Sequence, residues 1–239
     1  MNIAEHCTLS SDAVGFDEAG ASAFAKGVAG DFNPIHDPGS TRFCVPGDLL
    51  FAVLLARYGA HARTAVRFAG MLDAGVPLAL PAATDVTPLS VHLADPRGRE
   101  ILSFFGDGAR HADADFVERL SLEYVRFSGR TFPEILVPLM REAGAMINPA
   151  RPLVIYKDMA LQVERPSAGE LRLDAAGAAL TVNGKKGAAR LQFTIEDDEG
   201  RVGEGEKNLV LSGLRAFDEP AMDAVVAAYE ARRQAWLAT

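Results

Sequence analysis

Eight consecutive residues, Leu49 to Ala56, are apolar without a break, and they lie between a proline and a glycine. Pro46 suits the first turn of a helix, Asp48 complements the positive end of its dipole, and Gly59 closes it. A helix that is apolar on every face has to be enclosed on every face. At about 13 residues it is far short of the ~20 that a bilayer-spanning helix needs. The rest of the chain must therefore supply the enclosure.

The pattern downstream is suited to that task. Short β-type runs are predicted at 65–68, 76–78, 89–93, 101–105 and 122–127, separated by turn clusters such as Asp95-Pro96-Arg97-Gly98. Residues 113–120 are expected to form a short helix or the lead-in to the last of these strands. A second helix is predicted from Pro133 to Glu142, stopped at Gly144 and kinked by Pro138. Strands then follow at 153–156, 159–163, 170–173, 179–182, 188–195 and 202–211, with Asn183-Gly184 as a hairpin turn. A terminal helix over 220–236 carries Met222, Val225, Val226 and Tyr229 as one apolar stripe. Ahead of the buried helix, Asp17 has the chemistry of an N-cap for a helix through Ala21, Phe24, Ala25 and Val28, ended at Gly30.

Helix-then-strands thus occurs twice. Superposing Gly59 on Gly144 aligns Leu50 with Ile135, Phe51 with Leu136, Leu54 with Leu139 and Leu55 with Met140. Residue identity is poor, so the repeat is one of pattern. It predicts a duplicated α+β fold in two units, 1–127 and 128–239, the second ending in the terminal helix.

Charge narrows the function classes. With 24 Lys and Arg against 32 Asp and Glu in 239 residues, the formal net charge is −8. No basic run exceeds the pairs Lys185-Lys186 and Arg232-Arg233. Phosphate backbones and anionic membranes need clustered cations, so neither is expected as a partner. Cys7 and Cys44 cannot build a disulfide framework and read as reduced thiols. The first ten residues hold no apolar core of signal-peptide length, and the expected location is the cytoplasm. His61, His92 and His111 lack ligand spacing, so no metal and no other cofactor is expected.

The segment carrying chemistry is Phe24-Ala25-Lys26-Gly27-Val28-Ala29-Gly30-Asp31-Phe32-Asn33-Pro34-Ile35-His36, followed by Val45-Pro46-Gly47 at the mouth of the buried helix. It resembles the signature of the MaoC-like, (R)-specific enoyl-CoA hydratase family, FAxxSGDxNPxHxD followed by a glycine-opened helix. The resemblance covers Phe24 to Gly59, about a seventh of the chain. Three positions depart from it. Ala29 replaces the serine, Pro46 replaces the histidine of the helix-opening HG pair, and Asp37 follows His36 directly. The whole chain is also similar to a family of uncharacterised bacterial proteins of about this length.

The resemblance implies a hotdog fold, in which a curved antiparallel sheet wraps one helix, here doubled within one chain. It also implies an acyl-thioester substrate, on coenzyme A or a carrier protein, and a homodimer. Asp31 and His36 are the expected catalytic pair, gripping one water. The Gly47 amide at the helix N-terminus is the expected oxyanion donor. Asn33 and Asp48 are the expected substrate-binding positions, Asn33 also tying the loop down. Blander readings exist for each residue: Asp31 as a turn cap, His36 as a structural histidine, and Asp48 as a dipole-complementing residue. The second unit has Phe127-Ser128-Gly129-Arg130, which lacks the acid and the loop, so one site per chain is expected. The leading expectation is an enoyl-thioester hydratase or dehydratase. The alternatives are a thioesterase, with Asp48 or Asp31 activating water, and a non-catalytic acyl-ligand-binding protein.

Overall fold

The computed structural model describes residues 1–84 and 86–238. Helix α1 (Glu18–Ala23) begins at Asp17, whose side chain accepts the Gly20 amide at 2.6 Å, and winds on through wider turns to Ala29. Helix α2 (Gly47–Tyr58) is the apolar helix foreseen above, and nine of its 12 residues, Asp48 among them, are buried. Enclosure on all sides is therefore met.

The enclosing element is one seven-stranded antiparallel sheet. Its strands are β3 (Ala60–Phe68), β5 (Leu89–Ala94), β6 (Glu100–His111), β8 (Val154–Val163), β9 (Arg172–Asn183), β10 (Lys186–Asp197) and β11 (Gly200–Ser212). They are ordered β5-β6-β3-β8-β11-β10-β9. The minor strands β1 (Thr8–Leu9), β2 (Ala13–Gly15) and β4 (Leu78–Ala79) form a small sheet of their own, and β7 (Ala145–Met146) pairs with β12 (Arg215–Ala216). The strands of the two sequence repeats join edge to edge where β3 pairs with β8, from Arg63 opposite Gln162 to Arg67 opposite Asp158.

Alternation along the strands sets the cores. On β10, Phe193 and Ile195 belong to the cluster around α2, whereas Ala189 and Leu191 face a second cluster with Leu136, Met140 and Met222. One strand therefore floors both cores.

Several expectations are corrected. The runs at 153–156 and 159–163 are one strand, β8, and those at 170–173 and 179–182 merge into β9. Residues 122–127 are not a strand; they are the end of helix α3 (Ala114–Gly129), capped by Asp113, which accepts the Phe116 amide at 2.7 Å. Phe116, Val117, Leu120, Ser121, Tyr124 and Val125 are its buried residues up to that point, a helical spacing that Leu122–Phe127 viewed alone does not reveal. The second helix is also shorter than expected. The chain breaks at Phe132 (φ −117°, ψ 129°), and only α4 (Leu136–Glu142) follows as regular helix. Pro138 sits in the first turn of α4, where its missing N–H removes no hydrogen bond, so the break lies upstream of it. Helix α5 (Glu219–Leu237) closes the chain, capped by Asp218.

Candidate functional site

The Asp31 loop is built from nested turns. The Asp31 amide donates to Ala25 O at 2.7 Å, and Asp31 Oδ1 accepts the Asn33 amide at 2.9 Å. Asn33 Oδ1 accepts the Ile35 amide at 3.2 Å, and Asn33 O accepts the His36 amide at 3.0 Å. Asp31 is thus a turn cap through one oxygen while the other remains free for chemistry: Oδ2 lies 3.6 Å from His36 Nε2. The turn-cap reading of Asp31 thus engages Oδ1 alone and leaves Oδ2 facing His36.

His36 is oriented from behind. Its Nδ1 lies 2.7 Å from Cys44 O, an acceptor only, so Nδ1 carries a proton and Nε2 is left to face Asp31. Burial pulls the imidazole down, but the adjacent Asp31 and the Cys44 carbonyl outweigh it and hold His36 above its usual value. Burial likewise pushes the Asp31 carboxyl up, and His36, the Asn33 amide and the Lys207 charge overcome this to hold it below the usual carboxylate range. Both directions favour a carboxylate facing an imidazolium.

Both side chains line a cavity of about 800 Å³, whose wall is mostly apolar, with Leu50, Phe68, Leu72 and Leu136 among its residues. Gly47 also lines it, at the N-terminus of α2, where the first amides have no partner within the helix. The Tyr156 ring presses on Gly47 so closely that a Cβ there would come 2.5 Å from Tyr156 Cδ2. Asn33 lines the cavity while its side chain ties the loop. The roof comes from α5, with Val225, Tyr229 and Arg232.

Asp48 lies one layer behind the wall. Its Oδ2 accepts from Ser128 Oγ at 2.7 Å and from the Tyr156 hydroxyl at 2.9 Å, and Ser128 and Tyr156 themselves line the cavity. Lys207 Nζ is 3.6 Å from Asp48 Oδ1, touches Ser128 Oγ, and stands 3.5 Å from the centre of the Tyr156 ring. Burial holds Lys207 below its usual value against the opposing charges of Asp48 and Asp31, and burial pushes the Tyr156 hydroxyl well above its own.

Sequence reading overlooked Lys207, Tyr156 and the polar role of Tyr229. A signal for Lys207 was present: on β11 it shares parity with buried Leu209 and Leu211, so alternation alone turns it inward. Tyr229 was assigned to an apolar stripe, yet its hydroxyl reaches the Asp31 loop at Gly30 and Phe32. That contact links residues almost 200 positions apart and left no local trace.

A seven-stranded antiparallel sheet wrapped over a buried helix, with its helix-then-strands pattern duplicated in one chain, defines the double hotdog class. A hot dog fold protein of unknown function from Alicyclobacillus acidocaldarius superposes with a TM-score of 0.51 at 10% identity, over 91% of this chain and 99% of that one. A double-hotdog conserved hypothetical protein from Mycobacterium tuberculosis gives 0.45 at 14% identity, over 84% and 94%. An acyl-CoA thioesterase II from Mycobacterium marinum gives 0.44 at 14%, over 91% and 98%. Among curated proteins none matches. Residues 1–220 match the family described as "Protein of unknown function (DUF3581)", and the chain belongs to that family.

Proposed function

We propose that this protein hydrates 2-enoyl thioesters, or dehydrates the corresponding 3-hydroxyacyl thioesters. The single observation that carries this reading is the facing of Asp31 Oδ2 and His36 Nε2 across 3.6 Å at the wall of an apolar cavity. One water oxygen, at about 2.8 Å from each atom, closes a triangle on that edge.

The directions in which the two groups are held support one division of roles. Asp31, held as a carboxylate, takes a proton from the water, whose oxygen bonds to C3 of the enoyl group. The electron pair moves through C2 onto the thioester oxygen, which the Gly47 amide at the helix N-terminus receives. His36, held as an imidazolium, gives its Nε2 proton to C2. The proton on Asp31 then passes to His36, restoring the pair. Cys44 O keeps the ring aligned throughout. The apolar wall suits the acyl chain, and coenzyme A or a carrier protein supplies the thiol.

Turnover of crotonyl-CoA, followed as loss of enoyl absorbance, tests this. Asp31→Asn and His36→Gln preserve shape and remove proton transfer, so each should lower kcat by about 100-fold or more. Full activity in both variants rules the reading out.

A second reading, hydrolysis of the thioester, is favoured by one observation: the Asp48 carboxylate is held by two hydroxyls that line the cavity. Release of free thiol from a saturated acyl-CoA, lost in Asp48→Asn, would support it over hydration.

A further inference from the structure

Hydration by Asp31 and His36 leaves a second polar cluster on the same cavity without a task. Ser128 is the penultimate residue of α3, brought to the cavity because Gly129 has no side chain: a Cβ there would overlap the Ala29 carbonyl. Ser128 Oγ donates to Asp48 Oδ2 at 2.7 Å, lies 3.1 Å from the Tyr156 hydroxyl, and is touched by Lys207 Nζ. Lys207 is fully buried and Asp48 is 2% exposed. For folding alone, such a pair gains little over packed hydrocarbon, because desolvating both charges offsets their attraction. Here it flanks a hydroxyl at a cavity wall. A carboxylate that accepts the proton of a serine and an amine against its oxygen are what an activated nucleophile requires.

We infer that Ser128 is a nucleophile toward acyl thioesters that enter this cavity, with Asp48 as its base and Lys207 as its electrostatic partner. The inference rests on the reading that acyl thioesters occupy the cavity, but not on the hydration step.

Ser128 Oγ gives its proton to Asp48 Oδ2 and bonds to the thioester carbonyl carbon. The carbon–sulfur bond breaks, and Asp48 returns the proton to the departing thiolate, leaving free thiol and an acyl-serine ester. Water then repeats the sequence: it yields a proton to Asp48, its oxygen bonds to the ester carbon, and the carbon–Oγ bond breaks. Ser128 recovers its proton and a carboxylic acid leaves. Lys207, against Ser128 Oγ, favours negative charge on that oxygen.

The test is phosphonylation by a short-chain alkyl fluorophosphonate, which loses fluoride to an activated serine and stays attached. The folded wild-type chain should gain one phosphonyl group, mapped to the peptide containing Ser128. The labelling rate should fall by about 100-fold in Lys207→Met, and Ser128→Ala should remove the label. Because these buried variants can also lose the fold, the wild-type map is decisive by itself. No label at Ser128 above that of the urea-unfolded chain, or a label on another residue, overturns the inference. Crotonyl-CoA turnover in the same samples separates the two ideas. Label without hydration leaves Ser128 in place and removes the hydratase reading; hydration without label does the reverse.

Discussion

The hydroxyl of Tyr229 accepts the Phe32 amide at 3.1 Å and donates to the Gly30 carbonyl at 3.1 Å, bracketing Asp31 on both sides. Its ring stands edge-on to both Phe32 and Phe132. A helix from the end of the chain therefore fixes the backbone that aims the carboxylate. On α5, Tyr229 and Met222 are the buried residues, so the tie depends on few groups.

Tyr229→Phe keeps the ring and removes both hydrogen bonds, leaving the Phe32 amide buried without a partner. The expected cost is about 1–3 kcal/mol of stability, read from urea midpoints. Crotonyl-CoA turnover should fall in kcat more than it rises in KM, since Asp31 loses its aim. An unchanged midpoint and rate would show that the bracket has no mechanical role.

Gly129→Ala should be among the most damaging single changes available. The added carbon would overlap the Ala29 carbonyl, which is backbone and cannot swing aside. A loss of roughly 4 kcal/mol or more is expected, visible as a lowered melting temperature or insoluble expression. A variant melting like the wild type would mean that α3 and the Asp31 loop slide apart freely.

Gly47→Ala is milder. Its Cβ would meet the flexible Tyr156 ring, at 2.5 Å from Cδ2. Repacking should cost about 1–3 kcal/mol and tilt the Tyr156 hydroxyl off Asp48. Near-UV circular dichroism, which reports tyrosine packing, checks this directly; an unperturbed spectrum would count against the contact.

Two buried histidines should bend the stability curve in opposite directions with pH. Although burial pulls His36 down, Asp31 and the Cys44 carbonyl raise it overall. Its contribution is fully present below the unfolded value of about 6.5 and fades as pH rises through the higher folded value. His61 is 1% exposed, and burial lowers it; its contribution is present above about 6.5 and is lost as pH falls through the lower folded value. Urea midpoints across this range should show His36→Gln removing the alkaline decline and His61→Leu removing the acid decline. Curves parallel to the wild type in both variants would refute the assignment.

The elements governed by local rules were readable in advance. Pro46, Gly59 and the apolar run between them define α2 within a residue of its observed ends, and Asp17 caps α1 as its chemistry requires. The hairpin turn, however, falls one residue beyond Asn183-Gly184, at Gly184-Lys185 between β9 and β10. The motif loop was readable because its turn bonds, among Ala25, Asp31, Asn33, Ile35 and His36, are short-range; its tie to Tyr229 is not, and was missed. What escaped depends on contacts distant in sequence. Leu122–Phe127 has strand composition, and its helical character shows only when Phe116 and Leu120 are included in the period. The Ser128–Asp48 bond spans 80 residues and the Tyr156–Asp48 bond 108, and neither has a sequence signature.

The edge-to-edge pairing of β3 with β8 has a consequence for how the protein can be divided. Asp31 and His36 belong to the first repeat, whereas Tyr156, Lys207 and Tyr229 belong to the second. A gene split between the repeats would yield two fragments, each with a bare strand edge seeking a mate. Neither piece would hold a complete set of polar groups, and only re-annealing along that seam would bring them together.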